Sequence, residues 1–286
     1  MDEKLYSSPV FTLTENDSIH DALGIMKTNF VKRIVIAKDK KLSGIVTERD
    51  INAFLEQDTT TRALDEIRLK EIMRKNVITI SAGQQDHLSQ CATRMDTFKI
   101  GSVVVVDEKD EVIGITTQTD INRHYAKLYP GKYKVRDYMT DKVISCRESD
   151  SLRFALDIIN NNKTSRLVVT DHKGNVKGII STNDFLKHSE YFKKAIAKIR
   201  DYLLPKGTAE DKKVSEIIKY EVLIVEPDDD LATAADLMAK NNVSGVPVIV
   251  LKNNKLDGIV TKADVVRAFS QVITHAKMLE KYKTFR

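Results

Sequence analysis

A short motif with the pattern Gly-Ile-x-Thr/Ser-x-x-Asp occurs four times in this chain. The copies occupy residues 44–50, 114–120, 178–184 and 258–264, and their glycines are 70, 64 and 80 residues apart. Self-similarity at spacings of this kind is typical of a chain built from repeated structural units. The sequence therefore predicts four repeats of one small fold.

An apolar helical pattern begins 25 to 27 residues before each motif glycine, with the spacing i, i+3, i+4, i+7. Its members are Ile19, Ala22, Leu23, Met26; Leu88, Cys91, Ala92, Met95; Leu152, Ala155, Leu156, Ile159; and Leu231, Ala234, Ala235, Met238. Because this pattern keeps one offset from the motif, it sets the register of a whole repeat.

Runs rich in β-branched residues flank each helical pattern and predict two strands in each repeat. The first strands are predicted at residues 10–13, 77–80, 143–146 and 222–225, and the second at 33–36, 102–106, 167–169 and 247–250. A third strand runs into the motif, and a second helical pattern follows the aspartate. Each repeat is therefore predicted to be an α/β unit with the order strand, helix, strand, strand, helix.

The chain length limits how these repeats are organised. A chain of 286 residues holds about two ordinary domains, and a single short repeat buries little core, so the repeats must pair. Turn-forming Pro130 and Gly131 separate repeat 2 from repeat 3. We predict two modules, at residues 1–130 and 131–286, with internal repeat boundaries near residues 65 and 207.

The sequence offers little support for an enzyme or a metal site. The six histidines do not recur at equivalent positions, and no cluster has metal-ligand spacing. His20 and His87 lie at predicted helix starts, where we expect them to be exposed. Cys91 and Cys146 are expected to be buried apolar residues. The absence of a signal-peptide pattern and of a membrane-length apolar run predicts a cytoplasmic protein.

In its motif and element order the repeat resembles the cystathionine β-synthase (CBS) domain over about residues 5–275. CBS domains associate in pairs as Bateman modules, and a chain with four of them is similar to the gamma subunit of AMP-activated protein kinase and its smaller prokaryotic relatives. The resemblance implies a regulatory protein that binds an adenine nucleotide (AMP, ADP or ATP) or S-adenosylmethionine in clefts between paired repeats. It also implies an unidentified regulated protein as partner and makes a homodimer plausible.

The motif lies where a strand ends and a helix begins, and the first turn of a helix favours a phosphate. A hydroxyl at that place can donate to a phosphate oxygen, and an aspartate three residues later can accept from ribose hydroxyls. The resemblance assigns the phosphate side to Thr47, Thr117, Ser181 and Thr261, and the ribose side to Asp50, Asp120, Asp184 and Asp264. The alternative is a helix-capping box, although aspartate replaces the usual glutamate or glutamine in every copy.

The position before the second strand differs among the repeats. Related nucleotide sensors carry a phosphate-binding arginine here, and Arg33 and Arg166 match it in repeats 1 and 3. Repeats 2 and 4 have Ser102 and Gly245 nearby, so we predict a functional asymmetry. The alternative is that both arginines are solvated strand-edge residues.

The residue before each motif aspartate also varies, and in the related sensors a hydroxyl residue here contacts the nucleotide. Thr119 fits that pattern, Asn183 can substitute for it, and Ala263 has no side-chain hydrogen bond to offer. Arg49 either adds a phosphate contact or blocks the cleft. The site of repeat 4 is therefore expected to be the weakest.

Two other function classes compete with nucleotide sensing. A net charge of +5 and lysine-rich stretches after repeat 3 and at the end of the chain would suit nucleic-acid binding. Acidic residues are interspersed in both stretches, which favours solvated helix faces over a nucleic-acid site. The other alternative is a structural interaction protein whose clefts bind no ligand.

Overall fold

The computed structural model describes residues 5–57, 62–162, 164–182, 184–185, 212–218, 222–252 and 255–283. The predicted order of strand, helix, strand, strand, helix is complete in repeats 1 and 2. In repeat 3 the second helical pattern, predicted to follow Asp184, lies almost entirely outside the described residues. In repeat 4 the first strand is reduced to one parallel bridge between Val225 and Val248.

Seven α-helices and eleven strands are found within the described residues. The helices are α1 (Ile19–Asn29), α2 (Glu48–Gln57), α3 (His87–Phe98), α4 (Gln118–Leu128), α5 (Leu152–Asn161), α6 (Leu231–Lys240) and α7 (Lys262–Lys283). The strands are β1 (Thr12–Leu13), β2 (Arg33–Lys38), β3 (Lys41–Thr47), β4 (Thr79–Ser81), β5 (Ser102–Val106), β6 (Val112–Thr117), β7 (Ser145–Arg147), β8 (Arg166–Thr170), β9 (Val176–Ser181), β10 (Gly245–Val250) and β11 (Lys255–Thr261). Short 3₁₀ helices span Leu69–Glu71, Val135–Asp137 and Val214–Glu216.

Each repeat contains one small sheet. In repeats 1, 2 and 3 the strand order follows the chain, with the first pair of strands parallel and the second pair antiparallel. Repeat 4 keeps the antiparallel pair β10–β11. The predicted apolar residues of α1, α3, α5 and α6 are all buried, so the helical pattern of the sequence is confirmed in every repeat.

The chain divides into two compact units. Unit 1 contains the segment up to Val10, Val77–Lys142 and Leu223–Arg286, and therefore repeats 2 and 4. Unit 2 contains Phe11–Asn76 and Val143–Val222, and therefore repeats 1 and 3. This grouping differs from the predicted modules, which join consecutive repeats. The physical reason is that helices α4 and α7, which follow the motifs of repeats 2 and 4, pack within one core.

The segment that precedes each first strand, here called the lead-in, packs on a different repeat. The lead-ins of repeats 1 and 2 are exchanged, and so are those of repeats 3 and 4. The backbone bridges that show this are Ser7 with Ile115, Arg74 with Ile45, Thr140 with Ile259, and Lys213 with Ser151. Each repeat is thus completed by a segment from the repeat next to it in the sequence. Because of this exchange, we retain as a proposal the two modules that join consecutive repeats.

The exchange explains why the motif begins with glycine. A Cβ atom placed on Gly44 would lie 2.9 Å from the Sδ atom of Met73 in the lead-in of repeat 2. On Gly258 it would lie 2.8 Å from Sδ of Met139. The tightest case is Gly114, where it would lie 2.1 Å from the ring of Tyr6. The glycine therefore makes room for a lead-in side chain.

Both cysteines are buried, as the sequence predicts. Burial raises the pKa of the Cys91 thiol to about 11 and that of Cys146 to about 12. The thiolate is the reactive form of cysteine, so both side chains are inert components of the core at neutral pH.

Candidate functional site

In all four repeats the motif hydroxyl and the motif aspartate form a hydrogen-bonded pair. The hydroxyl donates to Oδ2 of the aspartate at 2.6 Å in repeat 1 and 2.7 Å in the other three repeats. The backbone N–H of the same hydroxyl residue donates to Oδ2 at 3.0, 2.8, 2.9 and 2.9 Å in chain order. This is a capping box in which aspartate takes the place of glutamate. In repeats 1, 2 and 4 the pair therefore caps the start of α2, α4 and α7, respectively.

The second carboxylate oxygen of the motif aspartate faces an arginine in three repeats. Nε of Arg74 lies 2.6 Å from Oδ1 of Asp50, whose side chain is only 7 % exposed. Arg123 and Arg267 lie 3.1 to 3.4 Å from the corresponding atoms of Asp120 and Asp264. A ribose that binds these carboxylates would have to share them with an arginine.

The residue directly across the antiparallel pair from the motif hydroxyl is equivalent in all four repeats. These pairs are Arg33 with Thr47, Ser102 with Thr117, Arg166 with Ser181, and Gly245 with Thr261. Residues that are directly opposite in an antiparallel pair point to the same face of the sheet. In repeats 1 and 3 a guanidinium therefore shares the face of the motif hydroxyl.

The two arginines belong to one electrostatic neighbourhood in unit 2. Desolvation is the main cause that lowers the pKa of Lys32, and the charges of Arg166 and Arg33 lower it further. The carboxylates of Glu48 and Asp184 act in the opposite direction. Lys32 is itself solvent-exposed, so this neighbourhood is open to water. Repeats 1 and 3 together place three cations there.

Unit 1 has a different arrangement at the equivalent places. Ser102 and Gly245 replace the arginines, and the hydroxyl of Thr119 accepts a hydrogen bond from Nζ of Lys262 at 2.8 Å. Lys262 is the first residue of α7 and is 5 % exposed. Thr119 is thus held by a cation from the other repeat of the same unit.

The remaining variable positions are less informative. Ala263 and Arg49 are exposed. Asn183, the predicted contact in repeat 3, lies outside the described residues, as do the lysine-rich stretch after repeat 3 and the side chains at the end of the chain.

The expectation that His87 is exposed is wrong, because its side chain is 2 % exposed. Its Nε2 atom lies 2.9 Å from the hydroxyl of Thr116, and that hydroxyl donates to the carbonyl oxygen of Leu5 at 3.1 Å. Since the single hydroxyl proton is used by Leu5, Nε2 carries the hydrogen and donates to Thr116. His87 therefore anchors the lead-in of repeat 1 on repeat 2. His20 is exposed, as expected.

Protonation of His87 should weaken the fold. Burial and the charge of Arg94 lower the pKa of His87 in the folded protein. Below about pH 6.5 the imidazole is therefore protonated more readily in the unfolded chain than in the folded chain. The free energy of unfolding should hold its value above pH 6.5 and decrease as the pH falls below it. Urea unfolding between pH 5 and 7.5 measures this. The decrease should be smaller in His87→Gln and unchanged in the exposed control His20→Gln; equal decreases in all three proteins would contradict the assignment.

Comparison with known proteins agrees with the repeat structure. The CBS domain family matches residues 3–57, 69–127, 135–191 and 214–271, which is most of the chain. The chain belongs to the CBS domain family.

Relatives with a similar arrangement occur in archaea. Protein MJ1225 of Methanocaldococcus jannaschii, described as a candidate archaeal homologue of g-AMPK, is 24 % identical over 91 % of this chain and 95 % of its own length. Its crystal structure has a TM-score of 0.76 to this chain, over 93 % of this chain and 98 % of that one. A conserved protein from Pyrococcus horikoshii has a TM-score of 0.63 at 22 % identity and covers 92 % and 96 % of the two chains. These similarities show a shared CBS fold.

A third solved structure is the CBS-pair protein CBSX2 in complex with AMP. It is 28 % identical, covers 49 % of this chain and 98 % of its own, and has a TM-score of 0.40.

In this CBS protein, two charged residues beside the motifs were missed by the sequence analysis. Arg74 binds Asp50, but it lies 24 residues away in an exchanged lead-in, and only the fold brings the two together. Lys262 lies within the motif of repeat 4, at a position held by Glu48, Gln118 and Thr182 in the other repeats. A comparison of the four motifs at that position would have revealed it.

Other kinds of site are not found within the described part of the chain. No group of three or more His, Cys, Asp or Glu side chains there is arranged to hold a metal ion. No helix there is long and apolar enough to cross a membrane.

Proposed function

We propose that this CBS protein is a regulatory, non-catalytic sensor that binds an adenine nucleotide at its motifs and controls a partner protein in the cytoplasm. The observation that carries the proposal is the cationic surface of unit 2, where Arg33 and Arg166 face the motif hydroxyls across their sheets. A guanidinium offers two parallel hydrogen bonds to a phosphate and keeps its charge at any physiological pH. We therefore favour AMP, ADP or ATP over S-adenosylmethionine, which carries a cationic sulfonium and no phosphate.

The capping boxes are compatible with this role, although they must rearrange. In the structure the hydroxyl of Thr47 donates to Asp50. When a ribose donates its hydroxyls to Asp50, the hydroxyl proton of Thr47 becomes available to a phosphate oxygen. The dipole of the first helical turn adds to the attraction for that phosphate. The same residues thus cap the helix without ligand and bind the nucleotide with it.

The ion pair between Asp50 and Arg74 can transmit nucleotide binding at the motif of repeat 1 to the rest of the protein. Arg74 belongs to the lead-in of repeat 2, whose backbone exchanges two hydrogen bonds with Ile45 at 2.9 and 3.1 Å. A ligand that competes for Asp50 changes the position of Arg74 and with it the lead-in. Such a ligand regulates a partner, or a second copy of the chain, only if it binds one arrangement better than the other.

Removing the arginines should weaken polyphosphate binding selectively. We expect Arg33→Ala and Arg166→Ala to lower the affinity for ATP roughly 10- to 100-fold, because a hydrogen bond to a charged group is worth about 1.5–3 kcal/mol. Binding of adenosine and S-adenosylmethionine should change by less than about threefold, since neither carries a phosphate. Isothermal titration with the three ligands measures both effects.

The matched control is Arg153→Ala, which removes an arginine of unit 2 whose Nε atom lies 3.8 Å from the carboxylate of Asp157 on α5. It should leave all three affinities unchanged. If the motif arginines affected ATP and adenosine equally, they would not be phosphate ligands, and the assignment of unit 2 would fail.

A further inference from the structure

A surface cleft of unit 1 lies between α3 of repeat 2 and α7 of repeat 4. Its volume of about 290 Å³ is close to the lower end of the range for small-molecule sites. The described side chains that line it are Ser89, Gln90, Thr93, Arg94, Ile273 and Thr274. None of them belongs to a motif, and all except Ile273 are polar. Ile273 packs against the hydrophobic core of the unit, so the cleft is a polar space beside that core.

Arg94 breaks a pattern that the other three repeats keep. It lies directly before the last residue of the apolar helical pattern of its repeat. The residues at this position in the other repeats are Ile25, Ile158 and Leu237. All three are partly buried and pack against a hydrophobic core. An arginine here gives up apolar burial that the fold would otherwise gain. Departures of this kind from the pattern of a fold are expected at functional sites.

The guanidinium of Arg94 has no carboxylate partner among the described residues. The side chain is half-buried and makes one hydrogen bond, from Nη1 to the neutral Oε1 of Gln90 at 2.9 Å. The charge acts on the protein interior, because after burial it is the next cause that lowers the pKa of His87. The remaining N–H groups can donate to a phosphate or a carboxylate in the paired geometry that arginine favours. Arg94 therefore gives the cleft the charge that an anion needs.

The hydroxyls of the cleft supply both a donor and acceptors. Thr93 donates its proton to the carbonyl oxygen of Ser89 at 3.1 Å, and Thr274 donates to that of Ser270 at 2.9 Å. Both threonine oxygens can still accept a hydrogen bond. The hydroxyl of Ser89 makes no hydrogen bond within the described residues, so its proton is available to a ligand. An anion that also carries hydroxyl groups can use all of these groups together.

We propose that this cleft binds a small anionic metabolite that also carries hydroxyl groups, of the size of a sugar phosphate or a sugar acid. Arg94 binds the anionic group, and Ser89, Thr93 and Thr274 bind the hydroxyl groups. The site is separate from the four motifs and goes beyond the proposed function, since it gives unit 1 a second kind of ligand. Neither its formation nor its test requires a nucleotide.

The test is isothermal titration of the full chain with glucose 6-phosphate, gluconate and glucose. We expect at least one of the two anions to bind saturably, at least about tenfold more tightly than neutral glucose, because only an anion gains from the guanidinium. The anion that binds more tightly identifies the anionic group as a phosphate or a carboxylate. Arg94→Leu should lower its affinity at least about tenfold. Leucine occupies this position in repeat 4, so the fold should survive, and thermal unfolding checks this.

Three further variants sharpen the test. Arg94→Lys keeps the charge without the planar fork of the guanidinium, so its affinity should lie between those of the unsubstituted protein and Arg94→Leu. Ser89→Ala should weaken binding of the same anion about two- to tenfold, because one neutral hydrogen bond is lost. Lys240→Gln is the matched control. It removes another positive charge of unit 1, paired with Asp236 on α6, and should leave binding of the anion unchanged.

Three results would each overturn the inference. The first is the absence of saturable binding of both anions by the unsubstituted protein. The second is equal affinity in the unsubstituted protein and Arg94→Leu, which would place the anion elsewhere. The third is glucose binding as tight as that of the anions, which would remove the role of the charge. None of these results bears on ATP binding at the motifs, so the proposed function is tested separately.

Discussion

Asp50→Ala should weaken nucleotide binding at repeat 1 by at least about tenfold, because the substitution removes an acceptor for ribose hydroxyls and one hydrogen bond to a charged group is worth about 1.5–3 kcal/mol. It should also lower the free energy of unfolding by about 0.5–2 kcal/mol, the usual cost of a lost helix cap. Asp184→Ala should behave in the same way in repeat 3. Isothermal titration and urea unfolding measure the two effects separately.

The chain contains a matched control for the capping contribution. Ser18 and Asp21 form a capping box at the start of α1 in the same repeat, with Oγ of Ser18 donating to Asp21 at 2.6 Å. Asp21→Ala should therefore cost similar stability and leave nucleotide affinity unchanged. If Asp50→Ala and Asp21→Ala had the same consequences, with normal binding in both, Asp50 would be a helix cap alone.

Gly114→Ala should lower the free energy of unfolding by about 1–3 kcal/mol, the usual cost of overpacking. Its new methyl group would lie 2.1 Å from a ring carbon of Tyr6, so the lead-in of repeat 1 would have to move away from repeat 2. The expected result is that the midpoint of urea unfolding moves to a lower urea concentration. Protease digestion near the N-terminus should also become faster, because the lead-in loses its packing.

The control for this substitution is Gly24→Ala. Gly24 is an exposed glycine inside α1 with no atom within 4 Å of an added Cβ. Alanine there should stabilise the protein by roughly 0.5–1 kcal/mol, since glycine is a poor helix former. If Gly114→Ala also stabilised the protein, this would contradict the close packing of the Tyr6 ring against Gly114.

Local periodicity accounts for what the sequence predicted well. The apolar residues of α1 and α3 recur at helical spacing, and the strand that begins at Arg33 follows a fixed offset from them. A single copy of this pattern could be a chance match, but four copies at one offset from the motif indicate a real structural element.

Contacts between distant segments account for what the sequence did not predict. Nothing in the residues around Gly44 indicates that Met73 fills the space above it. The grouping of repeats into compact units depends on which helix faces pack together, and α4 and α7 are separated by more than a hundred residues. His87 was misjudged for the same reason, since its partner Thr116 and the covering lead-in come from other segments.

The central claim is that the motifs bind an adenine nucleotide. Isothermal titration of the purified protein, stripped of bound ligand, with AMP, ADP, ATP and S-adenosylmethionine in parallel tests it most directly. We predict saturable binding of at least one phosphate-containing ligand, with a stoichiometry that gives the number of working motifs. Absence of saturable binding by all four ligands would contradict the claim and leave the four hydroxyl–aspartate pairs as helix caps.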